Sequence, residues 1–363
     1  MRVEALTHHG LGRLADGTLV PRVLPGEAVE PRGDGTWRVL EPSPDRVAAP
    51  CPHFAACGGC AVQHASDGFV ARWKAGIVAQ ALRAQGIEGT VGPVLTSPPR
   101  SRRRARLAGR RLKRGGNEPA STESDSQSIV DNPHCLILAP RLTALRPALL
   151  DLVALAASRA AEVALTLTDS PDGADLLVEG GRPLDAGLRA EAAAWAAAAG
   201  LARLTWGGEP LAQAAPPWQP MGRARVVPPP GAFLQATAEG EAALLARVRD
   251  AVAGARRVAD LFAGAGTFAL PLAEGAAVHA VEGDRAMVAA LLAGGRGAGG
   301  LHRLTAESRD LFRRPLSPEE LAGFDAAVLD PPRAGAEAQV AAIAAARVPA
   351  VASVSCNPAS FAR

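Results

Sequence analysis

The last third of the chain alternates short apolar runs with stretches of helical spacing. From Thr237 a helical stretch to about residue 252 leads into RRVADLF at 256–262, a helix, AAVHAVE at 276–282, and a second helix. A short strand ending before Asp310, FDAAVLD at 324–330, a helix over 336–347 and VASVSC at 351–356 complete the pattern. Apolar strands separated by helices predict a doubly wound parallel sheet. Ligands of such sheets sit beyond the carboxyl ends of the strands, so Asp260, Glu282, Asp310, Asp330 and Cys356 all fall at the ligand edge.

Upstream the periodicity differs. Residues 1–45 carry short apolar runs broken by Ala15-Asp16-Gly17, Leu24-Pro25-Gly26 and Gly33-Asp34-Gly35, the pattern of a small all-β unit with tight turns. Phe69, Trp73, Ile77 and Gln80 predict a helix over 66–85. Residues 100–135 read as strands and loops, including the polar stretch 118–127. Residues 139–162 read as helix, 163–169 and 175–180 as strands, and 187–199 as helix. The expected organisation is a β-unit at 1–45, an α+β domain at 46–218 and an α/β domain at 219–363, entered through Pro216-Pro217 and the prolines at 228–230.

Length and composition narrow the class. The chain has 363 residues, 48% of them hydrophobic, and mean hydropathy is close to zero. That is enough for more than one core. No apolar stretch of membrane length and no secretory leader is read, so a cytoplasmic monomer without membrane contact is expected. Lysine and arginine exceed aspartate and glutamate only by 39 to 36, yet residues 100–114 hold nine basic side chains and no acidic one. That density predicts an RNA-facing patch at Arg102, Arg103 and Arg104.

In the α/β domain, Asp260 and the turn Phe262-Ala263-Gly264-Ala265-Gly266 place a carboxylate at a strand end before two glycines, whose backbone N–H groups can approach a ligand. The third glycine of a dinucleotide fingerprint is missing, and a methionine-bearing nucleoside fits better because it has no pyrophosphate. Glu282, 22 residues after Asp260, could accept from both ribose hydroxyls, and Asp310 from the adenine amine. Either could instead be an ordinary helix-capping acid. Asp330-Pro331-Pro332-Arg333 is a stiff turn that fixes an aspartate. Arg333 stands where amine-methylating enzymes carry an aromatic. Cys356-Asn357-Pro358 brings a thiol to the same edge, suited to adding to carbon 6 of uracil and so activating carbon 5.

Cys51, Cys57 and Cys60 show spacings of five and two, and Cys135 follows at a distance. A chain without a secretory leader is a poor candidate for disulfides. Four thiolates suit tetrahedral zinc or a [4Fe-4S] cluster, and the single C-x2-C pair favours the cluster.

With the segments CPHFAACGGCAVQH (51–64), Cys135, Phe233-Leu234-Gln235, Asp260 to Phe268, Asp330 to Arg333 and Ser355-Cys356-Asn357-Pro358 in hand, the chain resembles the bacterial 23S rRNA (uracil-5)-methyltransferases, class I RNA 5-methyluridine methyltransferases. The resemblance implies a TRAM-like N-terminal barrel that binds RNA, a cluster-bearing centre, and a Rossmann-like methyltransferase domain using S-adenosylmethionine. It implies Cys356 as nucleophile, Asp330 at the uracil edge, and Gln235, Asp260, Phe262, Gly264, Gly266, Glu282 and Asp310 around the cofactor. It further implies a helix, a strand pair and a base glutamate beyond Arg363, so a shortened chain is expected. Transfer RNA as the substrate, or an RNA-binding protein without catalysis, are the alternatives.

Overall fold

A computed structural model describes residues 1–111, 117–121, 134–157 and 162–363. Most of the polar stretch at 118–127, the end of the basic run and the end of the 139–162 helix lie outside them. The chain divides into two compact units, residues 1–95 with 119–136 and residues 96–118 with 137–363.

In the first unit, β1 (Val3–Leu6), β2 (Gly12–Leu14) and β3 (Leu19–Val20) form an antiparallel sheet, and β4 (Ala28–Pro31) pairs with β5 (Trp37–Glu41) in another. Val3, Leu14, Val20, Val23 and Val29 make their common core. The buried Glu27 carboxylate takes the Arg46 guanidinium and the backbone N–H groups of Leu24 and Ser43. A small β-unit is therefore present, but the TRAM-type barrel is corrected: among the described residues the strands pair as two separate sheets, β1-β2-β3 and β4-β5, tied where β1 and β4 begin by the bridge Arg2↔Ala28 and by backbone hydrogen bonds from Val3, Gly26 and Val29. Helix α1 (Asp67–Ala84) begins where expected, capped by Ser66, whose hydroxyl accepts from the Phe69 N–H. It buries none of its residues fully.

The second unit opens with β6 (Arg104–Arg111) and the first two residues of β7 (Asn117–Ser121), and continues with α2 (Pro140–Ala144), α3 (Arg146–Ala156), β8 (Val163–Ser170), β9 (Gly173–Gly180), α4 (Ala186–Ala198), β10 (Arg203–Trp206) and β11 (Glu209–Gln213). These strands form a mixed sheet in the order β11-β10-β9-β8-β6-β7. Gly109 lets α3 approach β6 closely, since a Cβ there would lie 2.4 Å from a Val153 methyl. Arg203 on β10 forks onto Asp175 at 2.8 and 2.7 Å and also donates to the Pro228 carbonyl. The hairpin β12 (Gln219–Met221) and β13 (Ala224–Val226) leads to the last layer.

That layer contains α5 (Ala238–Ala251), β14 (Arg257–Leu261), α6 (Ala269–Leu272), β15 (Ala277–Glu282), α7 (Arg285–Gly297), β16 (Leu304–Ser308), α8 (Pro318–Leu321), β17 (Ala326–Leu329), α9 (Glu337–Ala346), β18 (Ala350–Ser353) and α10 (Pro358–Ala362). Its five strands are all parallel in the order β16-β15-β14-β17-β18, the doubly wound α/β architecture expected. Strands buried on both faces need near-continuous apolar sequence. Accordingly Val258, Val278, Ala280 and Val328 pack on one side, and Ala259, Leu261, Val281, Ala327 and Leu329 on the other. Register places Leu261 opposite Val281 and Leu329, and Leu329 opposite Ser353. The strands thus end level, and the turns beyond them emerge on one edge.

The Arg203–Asp175 pair is almost wholly buried, so removing one partner strands a charge. Arg203→Met is expected to lower unfolding stability by about 3 kcal/mol, and Arg203→Met with Asp175→Leu to recover most of it. Urea denaturation of the three proteins checks this; an unchanged midpoint in the single variant would contradict it.

Candidate functional site

Asp260 lies one residue before the end of β14, on the face shared with Val258, and is 0% exposed. Neither carboxylate oxygen has a hydrogen-bond partner of good geometry. Burial first, then the charges of Asp330 and Glu282, push its proton affinity well above the usual carboxylate range, offset in part by the Ala269 N–H. A buried acceptor without a donor is costly. It fits a ligand that brings N–H or O–H groups to this edge.

The turn after β14 is shaped by backbone that few residues adopt. Phe262, Gly264 and Gly266 have φ of 61°, 56° and 103°. At Gly266 an added Cβ would meet Leu270 at 2.7 Å, so glycine is required by both conformation and space. Glu282 closes β15 and braces this turn: one oxygen accepts from Gly264 N–H at 2.9 Å, the other from Asp284 N–H at 2.9 Å. A carboxylate has more acceptor positions than these two bonds use, and the remainder suit ribose hydroxyls. Phe262 packs on Phe312 with ring centroids 5.4 Å apart.

Asp330 comes directly after β17. Burial raises its carboxyl to about 6, against a hydrogen bond from Gln235 that lowers it. Gln235 donates from Nε2 to Asp330 Oδ2 at 3.0 Å. Cys356 is exposed in the turn after β18. That turn is fastened to the Asp330 turn: Val354 N–H donates to the Leu329 carbonyl at 2.7 Å, and Asn357 Nδ2 and Ser360 Oγ each donate to the Arg333 carbonyl at 3.1 Å. Asn357 then caps α10 by accepting from Ala359 N–H. The Ser-Cys-Asn-Pro sequence is therefore a strand-to-helix turn that leaves its thiol outward.

The structure gathers Gln235, Asp260, Gly264, Glu282 and Asp330 into one connected group. It does not gather Asp310, which is exposed and turned back on its own backbone, accepting from Phe312 and Arg313 N–H. The arginine-rich segment also departs from expectation. Arg103 is 8% exposed, ion-paired with Glu241 and bonded to Gln235. Arg104 donates to the Gly231 carbonyl and lies 5.9 Å from the exposed Phe233 ring. A strand of the mixed sheet has drawn these side chains into packing instead of a solvated patch. Arg103 and Glu241 are site neighbours that sequence reading missed: Arg103 lies 132 residues from Gln235 and 138 from Glu241, too much chain for any local pattern to show.

The iron-sulfur cluster is corrected. Among the described residues no group of three or more histidine, cysteine, aspartate or glutamate side chains is arranged to hold a metal ion. Cys51, Cys57, Cys60 and Cys135 are free thiols. Gln63 donates to Cys60 Sγ at 3.0 Å and accepts from the backbone N–H of Cys51. Burial pushes the Cys60 thiol up, Gln63 opposes this, and Cys135, Cys57 and Cys51 add to the rise. No helix among the described residues is long and apolar enough to cross a membrane.

No family model matches the chain. It is 41% identical over 359 residues to an uncharacterised RNA methyltransferase of Brucella suis, covering 98% of this chain and 86% of that protein. It is 32% identical over 380 residues to the 23S rRNA (uracil(1939)-C(5))-methyltransferase RlmD of Cronobacter sakazakii, covering 98% and 84%. Its fold matches the Pyrococcus abyssi tRNA (uracil-54, C5)-methyltransferase solved with S-adenosyl-L-homocysteine, with TM-score 0.76 and 20% identity over 100% of this chain and 91% of the other. The chain belongs to the class I RNA 5-methyluridine methyltransferase family and is a methyltransferase enzyme.

Proposed function

We propose that the protein methylates carbon 5 of a uridine in RNA, with Cys356 as nucleophile. The observation that carries this reading is the exposed Cys356 thiol in a turn pinned by hydrogen bonds to the Asp330 turn. Whole-length likeness of fold supports transfer RNA as the RNA class, and the sequence relative RlmD supports ribosomal RNA.

When bound, S-adenosylmethionine supplies an electrophilic methyl group on a sulfonium. Asp260, Gly264, Gly266 and Glu282, with Phe262 beside them, are the residues that would hold it. Cys356 thiolate forms a bond to carbon 6 of the ring, moving the electron pair of the carbon 5–carbon 6 double bond toward carbon 5 and the O4 carbonyl. Asp330, with a proton affinity near neutrality, can accept from ring N3–H as a carboxylate or donate to O4 as the acid, where charge develops. Once carbon 5 is methylated, a general base must take its proton, so that the C–H electron pair reforms the carbon 5–carbon 6 double bond and the Cys356 thiolate leaves. Access to carbon 6 requires the base out of its stack.

Transfer RNA and ribosomal RNA transcripts containing 5-fluorouridine test the chemistry and the RNA class together, because fluorine cannot leave as a proton would. With S-adenosylmethionine present, one transcript class is expected to form a denaturation-resistant adduct, and Cys356→Ala to abolish it. An adduct that survives in Cys356→Ala overturns the reading.

The raised Asp330 carboxyl also links stability to pH. Its folded value of about 6 exceeds the ordinary 3.8, so its stabilising contribution is complete below about pH 3.8 and is lost as pH rises through about 6. Relative to Asp330→Asn, the wild type is therefore expected to lose stability across that window. Urea midpoints of the two proteins that stay parallel with pH would contradict this.

A further inference from the structure

Arg103 precedes β6 and is buried, yet each face of its guanidinium is occupied. Nε donates to the Gln235 carbonyl at 3.0 Å, Nη1 to Gln219 Oε1 at 3.4 Å, and Nη2 to Glu241 Oε2. Its own backbone N–H donates to the Ala236 carbonyl at 2.9 Å. Gln219 is fixed in turn by donating to the Asp169 carbonyl at 2.7 Å. Glu241 stands in the first turn of α5, whose cap Thr237 accepts from Gly240 N–H and meets Ser97 Oγ at 2.6 Å. The segment 235–237 is thus held between the mixed sheet and α5, and the free end of Gln235 reaches Asp330.

We propose that Arg103, with Glu241 as its counter-ion, is a positioning residue that aims the Gln235 amide at Asp330. The proposal rests on the reading of Asp330 as the group at the uracil edge. A planar fork can hold a carboxylate and a carbonyl at once, whereas a lysine ammonium on a flexible stem cannot reproduce that geometry. A buried ion pair adds little stability over apolar packing, so stability alone is a weak reason for this arrangement. Charge on Asp330 depends on what faces it. Asp260 on β14 does, and Glu282 on β15 faces Asp260. The turn after β18 carries Cys356, and Gln235 is the neutral donor.

The test uses the full chain and needs no RNA: a carboxyl carbon-13 NMR titration of Asp330, its resonance assigned with Asp330→Asn. Arg103→Lys keeps the charge opposite Glu241 but loses the Nε donor to Gln235. It is expected to move the Asp330 titration upward by about one unit, the worth of one charge-assisted hydrogen bond. Gln235→Ala should move it equally, and the double variant no further. A merely structural or charge-balancing arginine would be rescued by lysine, so an unmoved titration in Arg103→Lys beside a moved one in Gln235→Ala overturns the proposal. Failure of the wild type to form the fluorouridine adduct would instead sink the functional reading, with this titration unaffected.

Discussion

Every functional feature of this chain depends on the shared direction of five strands. Because β14, β15, β17 and β18 run parallel and end level, the turns beyond their carboxyl ends must emerge on one edge. Residues far apart in sequence meet there. The register costs apolar sequence on both faces, and the chain supplies it. The polar exception is Asp260, buried among those residues one step below the edge.

That exception sets the electrostatics. The charges of Asp330 and Glu282 add to the effect of burial on Asp260, and neighbouring acids beside a buried carboxylate cannot all be ionised without cost. The chain relieves this unevenly. Glu282 is used by backbone N–H groups, Asp330 by Gln235, and Asp260 by no side chain among the described residues. An edge with surplus acceptors is matched to a ligand rich in donors, and the ammonium, ribose hydroxyls and adenine amine of S-adenosylmethionine are such a set. On the proposed reading, the glycine turn after Asp260 would give that ligand a backbone it can approach.

Much of this was visible in sequence where physics acts locally. Strand ends near Asp260, Glu282 and Asp330 follow from apolar runs that carry an acid at or beside their last residue, and the glycine turn from the spacing of Gly264 and Gly266. What escaped was non-local. Gln235 meets Asp330 across 95 residues and Arg103 meets Gln235 across 132, and no periodicity encodes such pairs. The arginine run suggested a solvated patch because charge density alone cannot show that Arg103, just before β6, is buried against Gln235, Gln219 and Glu241. Asp310 resembles its neighbours at strand ends, yet its carboxylate is taken by its own turn. The cysteine spacing pointed to a cluster, whereas among the described residues no group of side chains is arranged to hold a metal ion and Gln63 donates to the Cys60 sulfur. Short strands such as β10 to β13 carry too few residues for alternation to declare itself.

The carboxyl edge of the parallel sheet as the cofactor site, with Glu282 holding both the glycine turn and the ligand, is tested most directly by calorimetric titration. S-adenosylhomocysteine is titrated into the wild type and into Glu282→Ala. Binding by the wild type and a loss of affinity of about tenfold or more in the variant are predicted, as removal of a charged acceptor from a part-buried site requires. Equal affinity in the two proteins would contradict this assignment.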